Sequence, residues 1–441
     1  MSGTLNILIA SLGGPAPVGF LAAISNSNGS DLTNSSIALR NDQINLALQS
    51  RSALDESQLT VLRLDPGLSA ITWQTSLTNP PDTFVTSRIR LDSTGSAVVV
   101  GSANVSPSST RNAFVAKFNS SGAIQWQRRI NNNSEFYAVG IDASDNPYCV
   151  GVGRFVASDR DDIYVVKFDS SGAVTYQRTI GRTDTSSINE SAFGVAFYDA
   201  NFVLAARYKG FSVQFQAELF VGLQSTGETV GATNSRAANG SSWLFNIATI
   251  NGETASITYL LMYAPDTDEQ ILRRVVSGSF VYTRSFYATG LIPSDMCMSS
   301  DGTHVYVCGT LSGALQLSKF VATTGALAWQ RSLSAPTVTI QVPSITVDSL
   351  DNIHVNFTET VTGAPKKSMV LKMPGSGAGS GNSVVIEGKT YTYSTTTFFS
   401  GASNAFLTDS NTDPNVAASQ TLVTTTLASA VPTLAITGGN L

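Results

Sequence analysis

The 441-residue sequence predicts an all-β fold built of repeated four-stranded antiparallel units. Three observations carry that reading. Near-copies of one hairpin recur at intervals close to 50 residues. A second hairpin, turning on aspartate, precedes most of the copies. The composition suits pleated sheet: Ser and Thr number 103, hydrophobic residues make up 42%, and only 13% of residues are charged. The apolar share is too high for a disordered chain, and the charge too low for a coiled coil. A net charge of −5 provides no basic field of the kind that draws nucleic acid, so no nucleic-acid-specific site is expected. No continuous apolar run is long enough for a membrane-spanning helix.

The units follow in order. Unit one, about 41–77, carries Arg63-Leu-Asp-Pro-Gly-Leu-Ser-Ala-Ile-Thr-Trp73 and lacks a clear aspartate turn. Unit two, about 84–130, has both hairpins, turning at Asp92-Ser-Thr-Gly95 and within Lys117-Phe-Asn-Ser-Ser-Gly-Ala-Ile-Gln-Trp126. Unit three, about 135–180, repeats them at Asp142-Ala-Ser-Asp-Asn146 and Lys167-Phe-Asp-Ser-Ser-Gly-Ala-Val-Thr-Tyr176. Unit four, about 191–236, is degenerate around Asp199 and Ser225-Thr-Gly227. Unit five, about 241–287, keeps Ser277-Gly278 followed by Tyr282. Unit six, about 291–333, turns at Asp301-Gly302 and within Lys319-Phe-Val-Ala-Thr-Thr-Gly-Ala-Leu-Ala-Trp329. Unit seven, about 342–394, has Asp348-Ser-Leu-Asp-Asn352 and a glycine-rich turn from Gly375 to Gly381.

Each hairpin has a physical basis. Alternating apolar runs flank a short turn in which glycine supplies the positive φ. The turn glycines Gly122, Gly172, Gly227, Gly278 and Gly325 are 50, 55, 51 and 47 residues apart, too far for consecutive hairpins. The aspartate hairpin fills the gap. Four strands in 45–55 residues are the content of a propeller blade. The expectation is therefore a seven-bladed β-propeller over 41–394, with an N-terminal arm (1–40) and a strand-forming C-terminal segment (395–441).

The paired Lys-Phe-x-Ser-Ser-Gly-x-x-x-Trp and Asp-turn hairpins resemble the bacterial seven-bladed beta-propeller repeat family across residues 41–394. The resemblance implies a propeller scaffold and no particular activity, since one scaffold hosts many functions.

Aromatic residues stand four positions after the turn glycine at Trp126, Tyr176, Tyr282 and Trp329, with Trp73 at the matching place. Their repetition points to packing between blades, not to a sugar platform; unit four has Gly231 at this place, so that blade is expected to pack differently. Lys117, Lys167, Lys319, Arg128, Arg178, Arg284 and Arg331 recur in the same way, facing turn carboxylates or backbone carbonyls. His304 and His354 are the sole histidines, and His354 aligns with Tyr148, Tyr306 and Val98 as a strand filler. Cys149, Cys297 and Cys308 fit neither a disulfide framework nor a zinc pattern and read as small buried hydrophobes. The carboxylates at Asp159, Asp161 and Asp162 form no calcium-loop pattern. Neither a Gly-x-Ser-x-Gly elbow nor a phosphate-binding loop occurs. No catalytic, cofactor or metal site is expected.

At the ends, Leu5–Ala10, Gln420–Leu427 and Val431–Thr437 have strand composition. Two arrangements are open: the termini pair with each other and close the ring, or they add to a neighbouring subunit. No Lys or Arg precedes Arg40, so no export signal is expected. Together these features suggest a non-enzymatic structural protein of a bacteriophage virion, as a tail component, made in the host cytoplasm. Its partners would be other virion proteins and further copies of itself. A surface propeller that binds host glycan, with Tyr208 and Phe211 as candidate contacts, is the second reading.

Overall fold

The computed structural model describes residues 5–12, 19–26, 30–51, 57–78, 83–105, 110–130, 133–154, 161–182, 189–198, 200–209, 215–227, 229–235, 243–249, 257–264, 269–276, 279–378, 381–396, 420–423, 429–430 and 435–437. Among these residues all regular structure is strand, and it forms seven antiparallel sheets.

Sheet I consists of Leu32–Arg40, Gln43–Arg51, Ser57–Leu64 and Ile71–Thr78. Sheet II consists of Thr83–Leu91, Ala97–Val105, Thr110–Phe118 and Ile124–Ile130. Sheet III holds Ser134–Ile141, Pro147–Gly153, Asp162–Phe168 and Val174–Arg182. Sheet IV holds Asn189–Tyr198, Asn201–Lys209, Phe215–Leu223 and Thr229–Ser235. Sheet V is Trp243–Thr249, Ile257–Ala264, Glu269–Val276 and Ser279–Tyr287. Sheet VI begins with Ile292–Met298, His304–Leu311, Ala314–Val321 and Leu327–Ser334. Sheet VII begins with Thr339–Val347, Asn352–Thr360 and Lys367–Pro374.

The first strand of each sheet touches the first strand of the next, and that of sheet VII touches that of sheet I. The sheets therefore stand around a common axis, as in a β-propeller. Apolar cores lie between neighbouring sheets: Phe84, Phe114 and Val61 between I and II, and Trp126, Phe136 and Tyr164 between II and III. The series ends with Leu317, Phe357 and Leu371 between VI and VII. Alternation along each strand sends side chains to the two adjacent interfaces in turn, which is why these strands read as apolar on both faces.

Ring closure differs from the expected boundaries. The fourth strand of sheet VII comes from the N-terminus: Gly19–Asn26 pairs with Lys367–Pro374, and Leu5–Leu12 adds a fifth strand outside it. The expected last unit, 342–394, is accordingly divided. After the glycine-rich turn the chain leaves sheet VII, and Lys389–Thr395 pairs with Leu327–Ser334 of sheet VI, followed by Ser383–Ile386. The place next to Lys367–Pro374 is already filled, so those residues take the nearest free edge. The expected arm 1–40 likewise contains the first strand of sheet I. An N-terminal strand in the last sheet ties the first and last units by a backbone ladder, and unit periodicity alone does not reveal it.

The expected C-terminal segment extends outer edges. Gln420–Val423 pairs with sheet III, Ser429–Ala430 with sheet II and Ala435–Thr437 with sheet I. The pairing considered between the C-terminal strands and Leu5–Ala10 does not occur among the described residues.

Candidate functional site

Two places concentrate polar side chains: the contacts between sheets on the turn-bearing face, and the axial channel.

The first is built by the repeat. In six hairpins a one-residue register shift falls just before the recurrent aromatic position, as between Ile124 and Trp126 or between Lys319 and Phe320. Such a bulge redirects the side chains that follow it. The redirected aromatic lies against the turn of the next sheet. A Cβ on Gly122 would fall 2.5 Å from the Trp73 ring, on Gly172 2.4 Å from Trp126, and on Gly227 2.5 Å from Tyr176. These glycines have φ of 85°, 82° and 73°, so both space and backbone require glycine. Gly325 has the same positive φ of 67°. Gly278 and the side chain of Tyr282 lie outside the described residues.

Hydrogen bonds complete each contact. Trp73 Nε1 and Arg63 Nη1 donate to the Ser120 carbonyl at 3.0 and 2.7 Å. Trp126 Nε1 donates to Ser170 O at 3.0 Å. In sheet III the cation takes over: Lys167 Nζ donates to Gln224 O at 2.9 Å beside Tyr176. Trp329 Nε1 and Lys319 Nζ both donate to Gly375 O, while Gly377 takes the place under the Trp329 ring. Lys117 instead pairs with Asp92 of its own sheet at 2.8 Å, both nearly inaccessible. Burial alone would raise the Asp92 carboxyl; Lys117 and the hydrogen bonds from Thr94 and Ser96 outweigh it and hold the carboxyl low.

The closure repeats this contact with different residues. Lys372 is the cross-strand partner of Phe20, as Lys117 is of Trp126. Lys372 Nζ reaches Pro66 O of sheet I at 3.4 Å. In that turn Leu68 stands where the others have glycine, at a φ of 61° and fully buried. Phe20 packs on the apolar cluster that contains Leu68. A larger turn residue is matched by a smaller aromatic. Neither residue stands out in the sequence, because Phe20 is some 50 residues from any hairpin with which it could be aligned.

His354 is the cross-strand partner of Lys372, and Tyr148 and Tyr306 are those of Lys167 and Lys319. Its Nε2 lies 3.2 Å from Asp348 Oδ2 in a nearly inaccessible position. Burial lowers its pKa despite that carboxylate. Burial pushes the thiols of Cys149, Cys297 and Cys308 up. The Tyr208 side chain and Phe211, candidates for glycan contact, lie outside the described residues, as do Asp159 and any contact it makes. Among the described residues no group of three or more His, Cys, Asp and Glu is placed to hold a metal ion.

The channel is lined by the seven first strands, each of which carries a register shift near its middle. Just past the shift, Arg88 of sheet II reaches across to Asp295 of sheet VI, with Nη1 to Oδ2 at 2.9 Å. The same carboxylate accepts hydrogen bonds from Ser344 Oγ, at 2.7 Å, and from the Ile345 and Met296 amides. Two residues further along, toward the turn face, the equivalent positions hold Ala38, Arg90, Gly140, Ala196, Cys297 and Thr346. All but Arg90 are small. A cavity of about 340 Å³ occupies this level, walled also by Phe197, Met296, Met298 and Ile345.

No family model and no curated protein matches the sequence. Solved structures with a similar fold include an ulvan lyase of a new polysaccharide lyase family, 9% identical, which matches over 77% of this chain and 94% of its own with a TM-score of 0.52. The β-propeller domain of the Trilobed protease from Pyrococcus furiosus is 9% identical over 78% of this chain and 94% of its own, with a TM-score of 0.47. The phage phi92 endosialidase is 8% identical over 81% of this chain and 69% of its own, also at 0.47. At such identities the likeness concerns fold alone, and that to the ulvan lyase agrees with the ring of antiparallel sheets: the chain is an all-β protein of β-propeller architecture.

Proposed function

We propose that the seven sheets are the blades of a seven-bladed propeller serving as a non-enzymatic structural component of a bacteriophage particle, in its tail. The supporting observation is the use of strand addition at the outer rim. The chain's own terminal segments extend the outer edges of sheets I, II, III, VI and VII. An outer edge that accepts strands from a distant part of its own chain presents the same backbone ladder to a neighbour. The turn-face contacts between sheets suit a stiff part, because each ties side chains of one sheet to backbone of the next. Repeated copies related by symmetry would then join through their rims.

The test is to purify the particles of the phage that encodes this chain, quantify the protein by mass spectrometry, and weigh the isolated protein in solution. A fixed copy number per particle, with an oligomer or a stable complex with another particle protein, is the expected outcome. Absence from particles would overturn the proposal.

A further inference from the structure

We propose that the axial cavity is a binding site for a small carboxylate, held by Arg90. The shape of the site follows from the layer that forms it. Five of the six described positions at the level of Arg90 carry small side chains, and a void remains where they face one another. At about 340 Å³ it is within the range of small-ligand pockets.

Arg90 is the one charged residue in the lining. Its Nη1 donates to the carbonyl of its own neighbour Ile89 at 3.0 Å, and no carboxylate lies within ion-pair distance of it among the described residues. The nearby acid, Asp295, is committed to Arg88, Ser344 and two backbone amides. Two guanidinium groups thus share one carboxylate along this stretch of the channel. Burial, and next the repulsion from Arg88, push the Arg90 pKa down to about 10, so it remains a cation at neutral pH. A cation held in such surroundings without a partner favours an anion, and the planar guanidinium matches a carboxylate with two parallel hydrogen bonds. The rest of the lining is uncharged, so the carboxylate is the part of the ligand that the site recognises. The proposal is independent of the structural role suggested above.

Isothermal titration of the full-length protein at low ionic strength tests it, with sodium hexanoate and 1-hexanol as probes. Hexanoate is expected to bind one to one. It should bind about tenfold to a hundredfold more tightly than hexanol, the range set by a charge-assisted hydrogen bond. Arg90→Gln is expected to remove that advantage. Ala196→Met, which fills the cavity without changing charge, should weaken hexanoate as well. Equal affinity for hexanoate and hexanol, or no hexanoate binding, would each overturn the proposal. These comparisons use the wild-type protein and hold even if a variant fails to fold.

Discussion

Gly172 and Trp126 show how one residue position is shared between two sheets. The ring occupies the space that a Cβ would need, and the backbone at Gly172 has a φ of 82°. Gly172→Ala is expected to destabilise by about 1 kcal/mol from backbone strain alone, and by more once the ring is displaced. Trp126→Ala removes a buried ring and its bond to Ser170 and should cost roughly 3–5 kcal/mol. Urea denaturation checks both, and a double variant that loses less than the sum of the two would identify one shared contact. His354 makes a pH prediction. Its pKa is lowered in the fold, so below about 6.5 the unfolded chain binds a proton that the folded chain does not. Its contribution is complete above that pH and is lost as pH falls toward the folded-state value. The groups acting on it are Asp348, Lys372 and Asp42. His354→Asn should flatten the stability profile below about pH 6.5, measured as denaturation midpoints. Asp348 is also held low; burial opposes this, but His354 and Asn352 prevail, and its contribution is lost in a separate, more acidic window.

At the scale of elements, the strand Gly19–Asn26 has the largest consequence for its length. Leu21, Ala22 and Ile24 are completely buried in it, and its backbone supplies the fourth strand of sheet VII. Deleting residues 1–26 should cost roughly 5 kcal/mol or more, from the loss of that apolar burial and of the ladder between the chain's two ends. Deleting 1–12 removes only a fifth strand and should cost far less. Comparing the two by chemical denaturation separates closure from edge extension. The hairpins themselves were legible in the sequence, since Ser-Ser-Gly turns and alternating apolar runs are local features. Legible too was the packing role of Trp73, Trp126, Tyr176 and Trp329, because recurrence reports a shared environment. The bulges were not. A single unpaired residue such as Gln125 leaves no compositional mark, yet it decides which interface Trp126 faces.

At the scale of the molecule, the C-terminal segment rests on short ladders of two to four residue pairs at the rims of sheets I to III. Truncation after Thr396 should leave the ring folded, with a shift of a few degrees at most in its calorimetric transition. Three outer edges would then lie open, so light scattering should show self-association rising with concentration. A truncated protein that unfolds outright would show instead that the segment is part of the core.

The repeat, the turn glycines, the aromatic positions and the all-β class were determined by the sequence itself, because each depends on spacing within about 50 residues. Tertiary structure decided which strand closes the ring, that residues 383–395 join sheet VI, and that Arg90 stands alone among small neighbours in the channel. These depend on which edges and spaces are already occupied when distant segments meet. Arg88 and Arg90 are alike in sequence, two positions apart on one strand; only the far side of the channel, where Asp295 meets the first and not the second, makes them different.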